Sequence, residues 1–333
     1  MRNANPKPGG TSNFPRDVEQ REKVRRLLGI TTAALEDLAG ARVLSNAPHE
    51  VGKGVGEVRG GAGVASRRAD REVWRVGLEL EAGDGRVIPA IYLRPTAGER
   101  FVPVVAVHQH NNEFSFGKSE PAGLAGDPDM AYGLELARLG CAVIIPDLAC
   151  FEERSGVAYE KRGATEYSFL AWKLAAQGRS IQGLHVADVG LALTWLLQQP
   201  EVAEVGAGVV GHSLGGQVAF FAMAADPRFH AGVANCGVGT IASFFEADIF
   251  HNPGWYVSGI IPFGDAPAVG TALVGQQLKV IAGEQDPLFP VAGVRAVAQA
   301  LPDSGKELEV FAGGHEFPDE IRRRALAWLR AQL

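Results

Sequence analysis

Residues 205–216 read VGAGVVGHSLGG and run directly into QVAFFAMAAD at 217–226. The short apolar run at 205–210 is the pattern of a strand buried on both faces. The stretch from Leu214 onward suits an amphipathic helix packed on such a strand. Between them, Gly211-His212-Ser213-Leu214-Gly215 sets a serine on a sharp strand-to-helix turn, the G-x-S-x-G nucleophile elbow. The turn strains the serine backbone and needs neighbours without bulky side chains, which Gly211 and Gly215 supply. Ser213 then projects its hydroxyl above the sheet edge. The amino end of the helix faces any negative charge that develops on a bound carbonyl oxygen, so the Leu214 N–H is one expected oxyanion donor.

Working outward, further apolar runs at 102–107, 141–145, 231–234, 278–282 and 308–311 read as buried strands. Helix-like stretches lie between and after them at 130–139, 165–177, 181–199, 214–225, 291–301 and 317–332. Regular alternation of this kind implies a mostly parallel sheet with helices on both faces, whose chemistry gathers at the carboxyl ends of the strands. Residues 73–93 alternate apolar and polar positions around Ala82-Gly-Asp-Gly85, an antiparallel hairpin that opens the sheet. Ahead of it, DVEQREKVRRLL (17–28) has acid at its start and base near its end, as a solvated helix should. The tail at 1–16 and the glycine-rich 51–63 have little to bury. Residues 1–70 are therefore expected to form a flexible tail and helical extension, and 71–333 the catalytic domain. Residues 237–275 break the rhythm with aromatics, glycines and prolines, and read as a cap-like insertion after the strand at 231–234.

A serine hydroxyl needs an imidazole to take its proton, and that imidazole needs an acid to orient it. Of the eight histidines, His315 follows the last strand in Gly-Gly-His-Glu and precedes the final helix. Asp286, in LKVIAGEQDPLFP, ends the strand before it and completes the chain order Ser, Asp, His. Glu284 and Asp147 are the competing acids. The second oxyanion donor is expected from the loop after VPVVAV, His108-Gln-His-Asn-Asn112, at the His110 N–H. His108 and His110 do not make a metal site, because no carboxylate or further histidine stands at helpful spacing, so no metal or cofactor is expected. Gln109, His212, Phe244, Trp255 and Tyr256 are the expected pocket residues, and His251 is expected to be structural.

These pieces carry a family likeness. The loop at His108, GCAVIIPD, GLHVADVGLALTWLLQQPEV, GHSLGG, KVIAGEQDP and GGHEF resemble the dienelactone-hydrolase and acetyl-xylan-esterase branch of the α/β-hydrolases over about residues 75–332. The resemblance implies the α/β-hydrolase fold and a serine esterase acting on a small ester, with deacetylation included. Two departures stand out. Gln109 occupies a position that is commonly glycine in relatives, and Ser213 stands where dienelactone hydrolases proper carry cysteine. The same site could cleave a lactone, an amide or a C–C bond, and a retired scaffold would only bind its ligand.

The bulk numbers agree. A net charge of −6 and a pI near 5.8 supply no general attraction to polyanions, so neither nucleic acid nor an anionic membrane is an expected partner. Cys141, Cys150 and Cys236 lack paired spacing and are expected as free, buried thiols. No signal-peptide core or spanning run is visible, so a cytoplasmic protein is expected. The 70 residues beyond the minimal fold are expected to cover the site or to build a homodimer contact.

Overall fold

The computed structural model describes residues 14–50, 71–156 and 164–333. Its strands are β1 (Leu38–Pro48), β2 (Val73–Ala82), β3 (Val87–Pro95), β4 (Val102–Val107), β5 (Cys141–Pro146), β6 (Ala207–His212), β7 (Phe229–Asn235), β8 (Gln277–Gly283) and β9 (Lys306–Phe311). The longer helices are α1 (Phe14–Leu28), α2 (Thr32–Glu36), α3 (Tyr132–Arg138), α4 (Ala164–Ala175), α5 (Ile181–Leu197) and α6 (Leu214–Ala225). They continue with α7 (Ile241–Glu246), α8 (Ile260–Phe263), α9 (Asp265–Gly270), α10 (Val291–Ala300) and α11 (Asp319–Ala331).

The apolar runs form one sheet in the order β1-β2-β3-β5-β4-β6-β7-β8-β9. The pairs β1–β2, β2–β3 and β3–β5 are antiparallel, and β5 through β9 are parallel. Side chains of β4 alternate between two cores: Val105 and Val107 pack on the α5–α6 side, Val104 and Ala106 on the α3–α11 side. Burying a valine side chain stabilises by about 1.5–3 kcal/mol, which is why these strands are continuous apolar runs. Helix α5 is buried almost all round, and Gly183 and Gly190 let it approach the Leu28 carbonyl and Leu35 where a Cβ would collide.

From β4 the chain goes to β5 on one side of it and then to β6 on the other. The loops leaving β4 and β6 therefore diverge over a crevice at their carboxyl ends, where a parallel sheet binds ligands. Ser213 and the His108 loop lie there.

Two expectations need correction. The N-terminal extension is more than tail and helix, because β1 pairs along β2 as an edge strand. Its residues are mostly exposed and do not alternate, so no period marks them. Helix α1 buries Val24, Leu28 and Arg21 rather than being mostly solvated. The glycine-rich segment at 51–63 and the tail through residue 13 lie outside the described residues. Residues 237–275, between β7 and β8, form the short helices α7, α8 and α9 and a one-turn 3₁₀ helix at Pro253–Trp255.

Candidate active site

The turn after β6 is as tight as the motif requires. Ser213 has φ 54° and ψ −119°, a left-handed geometry that costs a non-glycine residue about 1–3 kcal/mol. It is held by its own N–H, which donates to the Asn235 carbonyl at 2.9 Å. A Cβ on Gly211 would stand 2.2 Å from the Gly215 carbonyl carbon, and one on Gly215 would stand 2.0 Å from the Val107 oxygen. Both glycines are thus dictated by close backbone approach, the second of them to the end of β4. Leu214 opens α6.

Ser213, His315 and Asp286 come together although 29 to 102 residues separate them. His315 Nε2 lies 2.9 Å from Ser213 Oγ, and His315 Nδ1 lies 2.8 Å from Asp286 Oδ2. The other carboxylate oxygen accepts from the N–H groups of Leu288 at 2.8 Å and Phe289 at 3.1 Å. Burial pushes the Asp286 carboxyl up. The His315 ring and the two backbone donors more than reverse this and hold it below the ordinary carboxylate value. Glu284 is exposed. Asp147 is taken up by Lys118, whose Nζ and backbone N–H both donate to it at 2.7 Å.

The loop after β4 turns through Asn111 and Asn112, both at positive φ (42° and 52°), a conformation asparagine tolerates better than most residues. His108 is fully buried. The Leu148 N–H donates to its Nε2 at 3.0 Å, so its proton sits on Nδ1 and goes to the Gln109 carbonyl at 2.8 Å. His108 is therefore a tie between this loop and the one after β5, with neither nitrogen free for a metal. His110 packs edge-on against Phe114, Phe151 and Tyr167, and burial lowers its pKa to about 4. Gln109 and His110 line one edge of a cavity of about 600 Å³, with Glu113, Glu120 and Asp127 among its other walls. Ser213 lies outside that cavity. The Gln109 side chain bonds to Glu120, whose carboxyl is raised by burial despite this bond and that from the Asp127 N–H.

A solved structure described as a putative acetyl xylan esterase, from Bacteroides fragilis NCTC 9343, superposes with a TM-score of 0.66 at 14% identity, covering 90% of this chain and 74% of that one. The acetyl xylan esterase from Paenibacillus sp. R4 gives 0.58 at 15% identity, covering 98% and 97%. The chain has the α/β-hydrolase fold. In sequence, the prolyl oligopeptidase family matches residues 156–320, just under half of this chain. The Bacillus subtilis (strain 168) protein named putative hydrolase YtaP is 24% identical over 230 residues, covering 67% of this chain and 74% of that protein.

The remaining expected pocket residues lie deeper than an open wall. His212 is buried behind His315, with ring centroids 4.9 Å apart, and its Nδ1 accepts from the Asn235 amide at 2.7 Å. Burial holds its pKa at about 3. Phe244 and Trp255 are fully buried and pack with Phe289 and His251. Tyr256 is at the surface, stacked on Phe245. His251 donates from Nε2 to the Leu288 carbonyl at 2.7 Å, tying the segment between β7 and β8 to the Asp286 loop.

Three neighbours of the site were not read from sequence. Phe289 stacks parallel to the His315 ring at 5.7 Å. The Asn235 amide donates to the Glu316 carbonyl at 3.0 Å as well as to His212. Cys236 is buried beneath the His315 loop, and burial together with nearby Asp286 pushes its thiol far up. The only signal for the last two was their place at the end of the strand beside the elbow. Among the described residues, no helix is long and apolar enough to cross a membrane.

Proposed function

We propose that this α/β-hydrolase is a carboxylic ester hydrolase that works through an acyl-enzyme. The observation that carries the reading is the unbroken hydrogen-bonded chain from Ser213 Oγ through His315 to Asp286, at three strand ends of one sheet. Ser213 attacks the ester carbonyl and gives its proton to His315 Nε2. Asp286, ionised, stabilises the imidazolium that forms. The N–H groups of Leu214 and His110 receive the oxyanion, and His315 then protonates the leaving alcohol. Water repeats the cycle and frees the acid. Likeness to acetyl xylan esterases supports a small acyl group such as acetyl.

A fluorophosphonate should label the native protein at Ser213 and fail on Ser213→Ala. Hydrolysis of p-nitrophenyl acetate should fall by about three to six orders of magnitude in that variant. Wild-type turnover in Ser213→Ala would overturn the proposal. The match to the prolyl oligopeptidase family favours a second reading, in which the same site cleaves an amide. A proline-containing peptide p-nitroanilide separates the two: hydrolysis with a higher kcat/KM than the acetate ester assigns the site to peptides.

A further inference from the structure

Cys236 follows β7 with φ 45° and is 1% exposed. That left-handed turn carries its sulfur under the His315 loop. Its Sγ lies 3.8 Å from the Gly314 carbonyl and 3.6 Å from the Glu316 carbonyl, one on each side of His315. One donor atom from each of Cys236, Asp286 and His315 falls within 4.8 Å of the others, and the His315–Asp286 pair is already at 2.8 Å. A tetrahedral zinc ion, with bonds of about 2.3 Å to sulfur and 2.0 Å to nitrogen and oxygen, sets its donors roughly 3.3–3.5 Å apart. Binding therefore needs a small opening of the His315–Asp286 contact and an approach of the Cys236 sulfur by up to about 1.3 Å. A sulfur in the set selects soft and borderline cations over magnesium or calcium.

The other cluster of three acidic groups, Asp147, Glu152 and Glu153, offers no comparable place. Lys118 Nζ stands among them at 2.7, 2.7 and 2.8 Å and fills the position a cation would take.

We propose that Cys236, Asp286 and His315 form an inhibitory site for a thiophilic divalent cation, zinc or cadmium, that shuts the enzyme by occupying two members of its triad. The Cys236 thiol releases its proton to solvent and binds as thiolate, while Asp286 exchanges the imidazole N–H for the cation. The cation takes the place of the proton on His315 Nδ1. That proton is regained at Nε2 from solvent, so the ring stays neutral and can no longer accept the Ser213 proton. Water completes the coordination. The effect on turnover rests on the esterase reading, whereas the binding itself does not.

Cobalt(II) titrated into the wild type and into Ser213→Ala should give a thiolate-to-cobalt charge-transfer band in the near ultraviolet, saturating at one equivalent. The band should be absent in Cys236→Ser. Zinc should inhibit p-nitrophenyl acetate hydrolysis reversibly on addition of EDTA. In Cys236→Ser the half-inhibiting zinc concentration, measured against that variant's own uninhibited rate, should rise at least about tenfold. Absence of the thiolate band from both cysteine-containing proteins would overturn the site, as would equal zinc sensitivity in Cys236→Ser. Equal inhibition by magnesium would overturn its thiophilic character. Should no ester turn over, the cobalt band still decides the site, so failure of the esterase reading and failure of the metal site are told apart.

Discussion

Asn235 joins both halves of the site through one residue. Its carbonyl fixes the strained Ser213 N–H, and its amide reaches His212 Nδ1 and the carbonyl of Glu316, the residue after His315. Because the Glu316 carbonyl can only accept, the amide orientation is set and His212 Nδ1 takes the second N–H. Removing it leaves buried acceptors unpaired, at about 1–3 kcal/mol, and frees the His315 loop to drift. A displacement of about 1 Å at a reacting group costs on the order of a hundredfold in rate. Asn235→Ala is therefore expected to lower kcat about 10- to 100-fold with KM for p-nitrophenyl acetate little changed, in steady-state kinetics on folded protein. A rise in KM with kcat intact would place Asn235 in substrate binding instead. Nothing in the sequence singles out this asparagine, because its partners come from β6 and the loop after β9. It acquires a role only when the parallel sheet sets those ends side by side.

At the scale of elements, the helix behind the nucleophile is anchored at its far end by the N-terminal extension. The guanidinium of Arg21 in α1 donates to the Met223 carbonyl at 2.8 Å and to Gln276 at 3.2 Å, and Arg25 donates to the Ala225 carbonyl at 2.9 Å. These are last-turn carbonyls of α6, which lack partners within the helix, and cations there also complement its dipole. Arg21→Ala is expected to lower unfolding free energy by about 2–4 kcal/mol in urea denaturation, with turnover per folded molecule little changed. A loss below about 0.5 kcal/mol would show that water replaces the guanidinium. Such a bond was invisible in DVEQREKVRRLL, where Arg21 reads as one more solvated charge. The buried strands were legible because residues packed on both faces must be apolar without interruption, and each expected run lies within or beside an observed strand. The edge strand β1 was illegible for the converse reason, since LAGARVLSNAP is held by ladder bonds to β2 and buries too little to impose a period. Between β7 and β8, helices of four to six residues are too short to show an amphipathic repeat. Phe244 and Trp255 therefore read as pocket walls when they are the core beneath it.

For the whole molecule, the histidines decide how the fold meets acid. Burial holds His49, His108, His110 and His251 at about 4 and His212 at about 3, and pushes His185 well below its ordinary value. In the unfolded chain each returns to about 6.5. Below that value the unfolded state binds protons that the folded state refuses, so stability falls with falling pH across the window from about 6.5 to 4. Each histidine still neutral in the fold contributes a slope of about 1.4 kcal/mol per pH unit. Carboxyls raised by burial act the other way, since Asp147, pushed up to about 7, and Glu120, Glu135 and Glu166, also raised, take up protons in the fold before the unfolded chain does, so the six histidines set the direction of the effect but not its full size. The melting temperature is therefore expected to fall between pH 6.5 and 5, where six histidines outweigh the raised carboxyls, and to change little from pH 7 to 8. Thermal scans across that range check it. A melting temperature unchanged between pH 7 and 5 would mean that the interior accepts these protons. His185→Gln removes one of the six, whose Nε2 is bonded to the Tyr167 hydroxyl at 3.0 Å, and should make the acid limb measurably shallower.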